Sequence, residues 1–382
     1  MLERATAEAV GLDPVRWNQT LATLENWSAA GELPAAAVIA GRDGLACGPY
    51  LFGKQSPGET APAIREDAIF LIASITKPVV AMAALLLVER GLLSLDDRVQ
   101  EHLPGFGRNG KIGTTVRHLM THSSGLPDML PNNQQLRAVH APLTKFVEEI
   151  FEIRPDFPPG RGVKYQSMGF CVLGEIIQRL SGMPCGEFVR RELFEPLGMH
   201  DTALGAPESW FDPGDGSEPR TARIVEIEPP EQYGAESDWG WNSHYWRTLG
   251  APWGGLLTTP LDLAAFARMM AGEGRFGERQ ILSRASVAAA TRNQLAAMRE
   301  VPEIDRRTRP WGLGWRLNWP DHSANFGDLL GPRTYGHWGA TGTVLWVDPA
   351  QKTWAVLLTS RPQEPHGRWL ARATNGIAAS FL

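Results

Sequence analysis

Cysteine is scarce: the chain of 382 residues has three, Cys47, Cys171 and Cys185. So sparse and odd a set builds no disulfide framework, which excludes the small stapled secreted folds. Cys171 lies in an apolar helical run and reads as core packing. Long apolar runs are also missing. The most hydrophobic stretch, Val79 to Val88, covers about half of what a membrane-spanning helix needs, so no membrane is expected as a partner. Residues Met1 to Glu8 carry no apolar leader, and the chain as given reads as cytoplasmic. Charge of one sign is absent too. Lys and Arg total 37 against 42 Asp and Glu, a formal net charge of −5, and no basic stripe appears, so nucleic acid is not an expected partner. Neither phosphate-binding glycine pattern occurs, and there is no Gly-x-Ser-x-Gly elbow of the α/β-hydrolase kind. His118 and His122 have the spacing of a zinc-binding helix, but Leu119 stands where that motif has Glu and no third ligand is apparent. The expectation is no metal and no cofactor.

What is present is enough for a sizeable core: 43% of residues are hydrophobic. The most informative tetrad is Ser74-Ile75-Thr76-Lys77. Val79, Val80, Ala83, Leu86 and Leu87 follow it on one helical face, ending at Glu89-Arg90-Gly91. This puts Ser74 at or near a helix N-terminus, where unpaired N–H groups and the dipole favour developing negative charge. Pro78 is compatible with a first helical turn. A lysine one turn after a serine can activate its hydroxyl for attack on a carbonyl. The bland reading of the same tetrad is an N-cap serine and a solvated lysine.

Two further stretches decide between those readings. Tyr165-Gln166-Ser167 follows the loop 156–160 and precedes the apolar helical run 170–177. Gly336-His337-Trp338-Gly339-Ala340-Thr341-Gly342-Thr343 leads into the buried strand 344–347. In this order the three stretches resemble the serine β-lactamase and penicillin-binding-protein superfamily, most nearly class C β-lactamases and the related family VIII carboxylesterases and D-amino-acid peptidases. The segments 115–126, 195–199 and 254–263 resemble the same family, so the likeness covers nearly the whole chain.

The resemblance implies roles. Ser74 matches the acylated nucleophile, Lys77 the lysine that takes or relays its proton, and Tyr165 the tyrosine that assists. His337-Trp338-Gly339 matches the family's Lys-Thr-Gly position. A histidine there is expected to hydrogen-bond the tyrosine and lend partial positive charge near the substrate. The backbone N–H groups of Ser74 and Ala340 match the oxyanion hole. Two departures stand out. Ser167 replaces an Asn that supports the lysine and contacts substrate; its hydroxyl is expected to accept from Lys77. Trp338 replaces a small residue and adds bulk beside the substrate strand. With His337, these changes favour small or flat esters over β-lactams.

Tryptophans and tyrosines crowd the segment from Gly205 to Gly254, among them Trp210, Tyr233, Trp239, Trp241, Tyr245, Trp246 and Trp253. So many aromatics argue against disorder. Either Trp239 and Trp241 form an aromatic wall over Ser74, or the segment is a satellite core that holds a loop down. The run 34–44 reads as strand and turn, 346–359 as a hairpin, and 367–373 as a helix packed on that sheet. The fold expected from the resemblance is α/β (α+β), an antiparallel sheet flanked by helices and built from both chain ends, with an inserted all-helical domain. Its expected parts are 1–85 with 251–382, 86–204, and the aromatic loop 205–250. The function expected is a serine hydrolase working through an acyl-enzyme, foremost a carboxylesterase on short-chain or aromatic esters. A β-lactamase or D-amino-acid peptidase, an acyltransferase, or a non-catalytic binding protein of the same fold are the alternatives. A small ester or amide is the partner in the enzymatic readings.

Overall fold

The run from Ala35 to Gly41 is apolar without alternation because both faces of the strand it forms are covered. In the computed structural model, which describes residues 2–58, 60–229, 237–318, 327–363 and 368–382, this strand lies inside a seven-stranded sheet. The strands are β1 (Glu3–Arg4), β2 (Ala35–Arg42), β3 (Leu45–Gly53), β4 (Arg316–Leu317), β5 (Tyr335–Gly339), β6 (Thr343–Asp348) and β7 (Thr353–Thr359). Their spatial order is β1-β3-β2-β7-β6-β5-β4, so the two chain ends meet where β2 pairs with β7. Every pairing is antiparallel except β1 with β3. The expected hairpin closes with Asp348 opposite Thr353.

The helices that matter here are α1 (Pro14–Ala29), α2 (Thr76–Glu89), α3 (Val116–Met120), α4 (Asn133–Ala138), α5 (Met168–Ser181), α6 (Pro260–Ala271) and α7 (Arg368–Ser380). Side chains alternate across the sheet. Ala36, Val38, Trp346 and Leu357 pack with Trp17 and Leu24 of α1 and Leu370 and Ile377 of α7. Ala37, Ile39, Val356 and Leu358 face the other way, into the cluster that holds Leu263 and Phe266 of α6 and Val79 to Leu87 of α2. The C-terminal helix therefore packs on the sheet as expected; Gly367 lies outside the described residues.

Helix α2 is buried from Thr76 through Leu87. A helix apolar on all sides is stable only in such a setting, where each buried Val or Leu contributes roughly 1.5–3 kcal/mol. A second, three-stranded sheet pairs Phe70–Leu71 and Ala203–Leu204 with either edge of Leu256–Thr258. It delivers the chain to the start of α2. Among the described residues no helix is long and apolar enough to cross a membrane. All three cysteines are buried and free.

Candidate active site

Ser74 sits in a single 3-10 turn, Ala73–Ile75, that runs straight into α2. Residue 73 is alanine at φ 44°, in the left-handed region that a Cβ disfavours. Its neighbours hold it there. Thr76 Oγ1 donates to the Ala73 carbonyl at 2.6 Å and accepts from Leu256 N–H at 3.0 Å, and Ile72 N–H donates to the Leu256 carbonyl at 3.0 Å. The turn is thus stapled to the small sheet on both sides of the serine.

The other wall comes from the far end of the chain. The tight turn between β5 and β6 is closed by Gly342 N–H donating to the Gly339 carbonyl at 2.9 Å. From it Thr341 Oγ1 donates to the Leu71 carbonyl (2.7 Å) and Thr343 Oγ1 to the Ile72 carbonyl (3.1 Å). These bonds bring Ala340 to the Ser74 turn, and Gln363 N–H fixes the Ala340 carbonyl at 2.9 Å. The approach is so close that a Cβ on Gly339 would stand 2.3 Å from the Ile72 oxygen and 2.3 Å from Thr343 Oγ1. Glycine is required there by contact rather than by φ.

Lys77 is fully buried, with Nζ 2.8 Å from Ser74 Oγ and 2.9 Å from the Trp253 carbonyl. Burial drives its pKa down to about 7, even though the charge of Asp128 pulls the other way. Lys77 Nζ lies 4.7 Å from the ring centroid of Tyr165. Burial, with Asp128 adding to it, pushes the phenol well above the usual tyrosine range. Of the two groups expected to share the role of base, only the lysine gives up its proton near neutrality.

Two expectations require correction. Ser167 does not support Lys77: its hydroxyl donates to Asp128 Oδ1 at 2.6 Å, and Lys77 takes the Trp253 carbonyl as its second acceptor. His337 carries no positive charge. It is fully buried, and desolvation beside Lys77 depresses its pKa to about 3. Nδ1 donates to the Trp338 carbonyl at 2.6 Å, and Nε2 has no hydrogen-bond partner among the described residues. Its ring is 6.0 Å from that of Tyr165, while Trp338 stacks on Tyr165 at 6.4 Å and 19°.

His118 and His122, weighed in the sequence only as a metal pair, have other roles. His122, just beyond α3 at φ 59°, packs on Tyr165 with ring centroids 4.7 Å apart and planes tilted by 30°, and accepts the Gln166 N–H on Nδ1 at 3.0 Å. His118 is turned back, accepting the Thr115 N–H at 3.2 Å as half of a capping box. The pair therefore does not act as one face of a metal-binding helix. Among the described residues no group of three His, Cys, Asp or Glu could hold a metal. Gln166 ties its loop to α3 through Nε2 to the His118 and Leu119 carbonyls.

Trp239 and Trp246 of the aromatic segment pack around a buried cation. Arg137 of α4 lies 5.2 Å from the Trp239 ring and 4.1 Å from the Trp246 ring, and donates to the Trp239 carbonyl at 3.2 Å. Trp246 meets Trp253 edge-on at 6.3 Å, and Trp253 supplies the carbonyl for Lys77. Trp241 packs on the main core. Tyr233 lies outside the described residues.

Comparison with known proteins agrees with this architecture. The family profile described as Beta-lactamase matches residues 22–377. Penicillin-binding protein 4 of Amycolatopsis lactamdurans is 29% identical over 336 residues, covering 85% of this chain and 76% of that one. The crystal structure of a penicillin-binding-protein homologue from Caulobacter crescentus superimposes with a TM-score of 0.76 at 23% identity, covering 96% of this chain and 99% of that one. A family VIII carboxylesterase superimposes with a TM-score of 0.74 at 20% identity, covering 96% and 98%.

Proposed function

The chain belongs to the beta-lactamase family, a group of serine hydrolases, and on that premise we propose that it is a carboxylesterase acting through an acyl-enzyme on short-chain or aromatic esters. In this reading Ser74 attacks the ester carbonyl and its proton passes to Lys77. The N–H groups of Ser74 and Ala340 hold the oxyanion. Tyr165 protonates the departing alkoxide and recovers a proton from Lys77. Water then attacks the acyl-enzyme and gives a proton to Lys77, which passes it to the departing Ser74 oxygen as the acid is released, restoring the hydroxyl and the neutral lysine. The lysine fits the base role because its pKa of about 7 leaves much of it neutral at physiological pH. Tyr165, held protonated, fits the acid. Trp239 and Trp241 are assigned to the wall that selects acyl length.

The observation that carries esters over β-lactams is the full burial of His337, which disfavours its charged form. A substrate carboxylate, present in β-lactam antibiotics and at peptide C-termini, would meet an uncharged imidazole where the family pattern has a lysine. Curated relatives named putative D-alanyl-D-alanine carboxypeptidases, 26% identical over 399 residues in Salmonella typhi, keep an amide hydrolase as the second reading. Turnover of p-nitrophenyl butyrate and of a chromogenic cephalosporin, by wild type and Ser74→Ala, separates them. Ester turnover lost in the variant with little cephalosporin hydrolysis is expected; strong cephalosporin hydrolysis would put the amide reading first.

A further inference from the structure

Arg137 of α4 is 2% exposed. Its guanidinium carbon stands 4.1 Å from the centroid of the Trp246 ring and 5.2 Å from that of Trp239, and the group donates to the Trp239 carbonyl at 3.2 Å. These are the distances of a cation seated against aromatic rings. Trp246 meets Trp253 edge-on, with centroids 6.3 Å apart and planes at 71°, and Phe146 packs on Trp253 at 5.7 Å. The Trp253 carbonyl then accepts from Lys77 Nζ at 2.9 Å, and the same nitrogen lies 2.8 Å from Ser74 Oγ. An unbroken chain of contacts thus runs from a buried cation on α4 to the nucleophile.

Directional contacts are few along this chain. The indole N–H groups of Trp246 and Trp253 are both buried and make no hydrogen bond among the described residues. Apolar neighbours hold a ring in place but accept its face or its edge alike. A cation does not: the face of an indole is negative and its rim positive, so the guanidinium fixes the plane of Trp246. That plane decides how Trp253 is met. The peptide after Trp253 has two holds. Its N–H, on Gly254, donates to the Ala251 carbonyl at 3.0 Å, and the Trp253 ring anchors the other end. Loss of the second hold lets the peptide tilt and weakens the acceptor for Lys77. Burial and, against it, the charge of Asp128 set the proton affinity of the amine, so Arg137 reaches Lys77 through packing rather than through its field.

We propose that Arg137 is a positioning residue for the catalytic lysine, holding the Trp253 carbonyl against Lys77 Nζ through the Trp246 ring. The inference rests on the acyl-enzyme reading and deepens it: α4 and the aromatic segment belong to the acylation machinery without touching substrate. An amine that keeps one N–H on the carbonyl presents its lone pair to Ser74; an amine released from it rotates, and the proton transfer loses its alignment.

The test follows p-nitrophenyl butyrate hydrolysis from about pH 5.5 to 9 with wild type, Arg137→Met and Arg137→Lys, each checked as folded by circular dichroism at the assay temperature. Methionine keeps bulk and removes the cation; lysine keeps the cation. Arg137→Met is expected to lose at least tenfold in kcat with KM within about threefold. The rising limb of kcat/KM should move to lower pH by roughly half a unit, because an acceptor stabilises an ammonium more than an amine. Arg137→Lys should recover most of both effects. The titratable neighbours of the amine are Asp128, Tyr165, His122 and His337. Burial pushes the phenol upward and both imidazoles downward, away from this limb, so a limb that moves reports Lys77. Unchanged kcat, a loss carried by KM alone, or equal losses in the two variants on an unmoved limb would each overturn the inference. Should Arg137→Met not fold, Trp246→Phe decides it, since a phenyl face holds a cation less tightly than an indole: the same signature in smaller measure supports the proposal, and an unmoved limb with unchanged kcat sinks it. Ester turnover that persists in Ser74→Ala would mark failure of the acyl-enzyme reading instead.

Discussion

Lys77 Nζ is shared between the Ser74 hydroxyl at 2.8 Å and the Trp253 carbonyl at 2.9 Å. A carbonyl only accepts, so a neutral lysine keeps one N–H on Trp253 and turns its lone pair to the serine. The aromatic segment thus touches the reacting atoms through a backbone oxygen.

A pH profile follows. With Lys77 near pKa 7, kcat/KM for a neutral ester is expected to rise through that pH along one limb and stay level to about pH 9, because Tyr165 is pushed upward and keeps its proton. A limb centred near the ordinary lysine value would remove Lys77 as the base.

The same shift makes stability depend on pH. Between about 7 and the ordinary value of 10.5 the unfolded lysine binds a proton that the folded one has released. Stability therefore rises with pH across that window and is lowest, on this account, below pH 7. Buried cysteines with raised pKa oppose the trend at its alkaline end. The contribution is isolated by urea denaturation of wild type and Lys77→Met at pH 7 and pH 9. The wild type should gain on the variant at the higher pH.

Gly339→Ala should reduce kcat by two orders of magnitude or more and cost roughly 1–3 kcal/mol, since the new methyl forces β5 away from Ile72 and Ala340 away from Ser74. Gly113→Ala is the control, because a Cβ there meets open space. Equal activity of the two variants would show that the β5 approach does not set the oxyanion geometry.

Ala73→Gly should behave in the opposite sense. Alanine at φ 44° stores strain on the order of 1–3 kcal/mol. Glycine releases it at an entropic cost of about 0.5–1 kcal/mol. A slightly higher melting temperature with a lower kcat is expected; a lower melting temperature would mean the site is not strained.

Trp239→Ala and Trp241→Ala, tested separately on esters of increasing acyl length, check the wall assignment. Altered length preference is expected, most of all at Trp239, whose partner Arg137 ties it to α4. Unchanged preference in both would leave the segment as a packing device only.

Much of this was legible in the sequence, and the limits are physical. Strand β2 and helix α2 declare themselves because their apolar patterns have no competing interpretation. Ser74, Lys77 and Tyr165 were proposed by motif, and the structure places Lys77 against both of the others. Asp128 and the Trp253 carbonyl were not, because a backbone oxygen leaves no trace in side-chain identity and one acid after Gly125-Leu126-Pro127 looks like any turn acid. His337 was misjudged for a related reason. Its charge depends on burial, which its neighbours in sequence do not reveal. Ser167 took an unforeseen partner because a hydroxyl goes to whichever acceptor the fold brings nearest.

The bond from Thr341 to the Leu71 carbonyl joins positions 270 residues apart. During synthesis at roughly 5–20 residues per second, the nucleophile turn leaves the ribosome some tens of seconds before the hairpin that completes it. Until then β2 has β3 on one side only, and its other edge lies open to any strand in the vicinity. A nascent chain therefore carries an unpaired β2 edge for most of its synthesis, and the Ser74 turn receives its Thr341 and Thr343 anchors last.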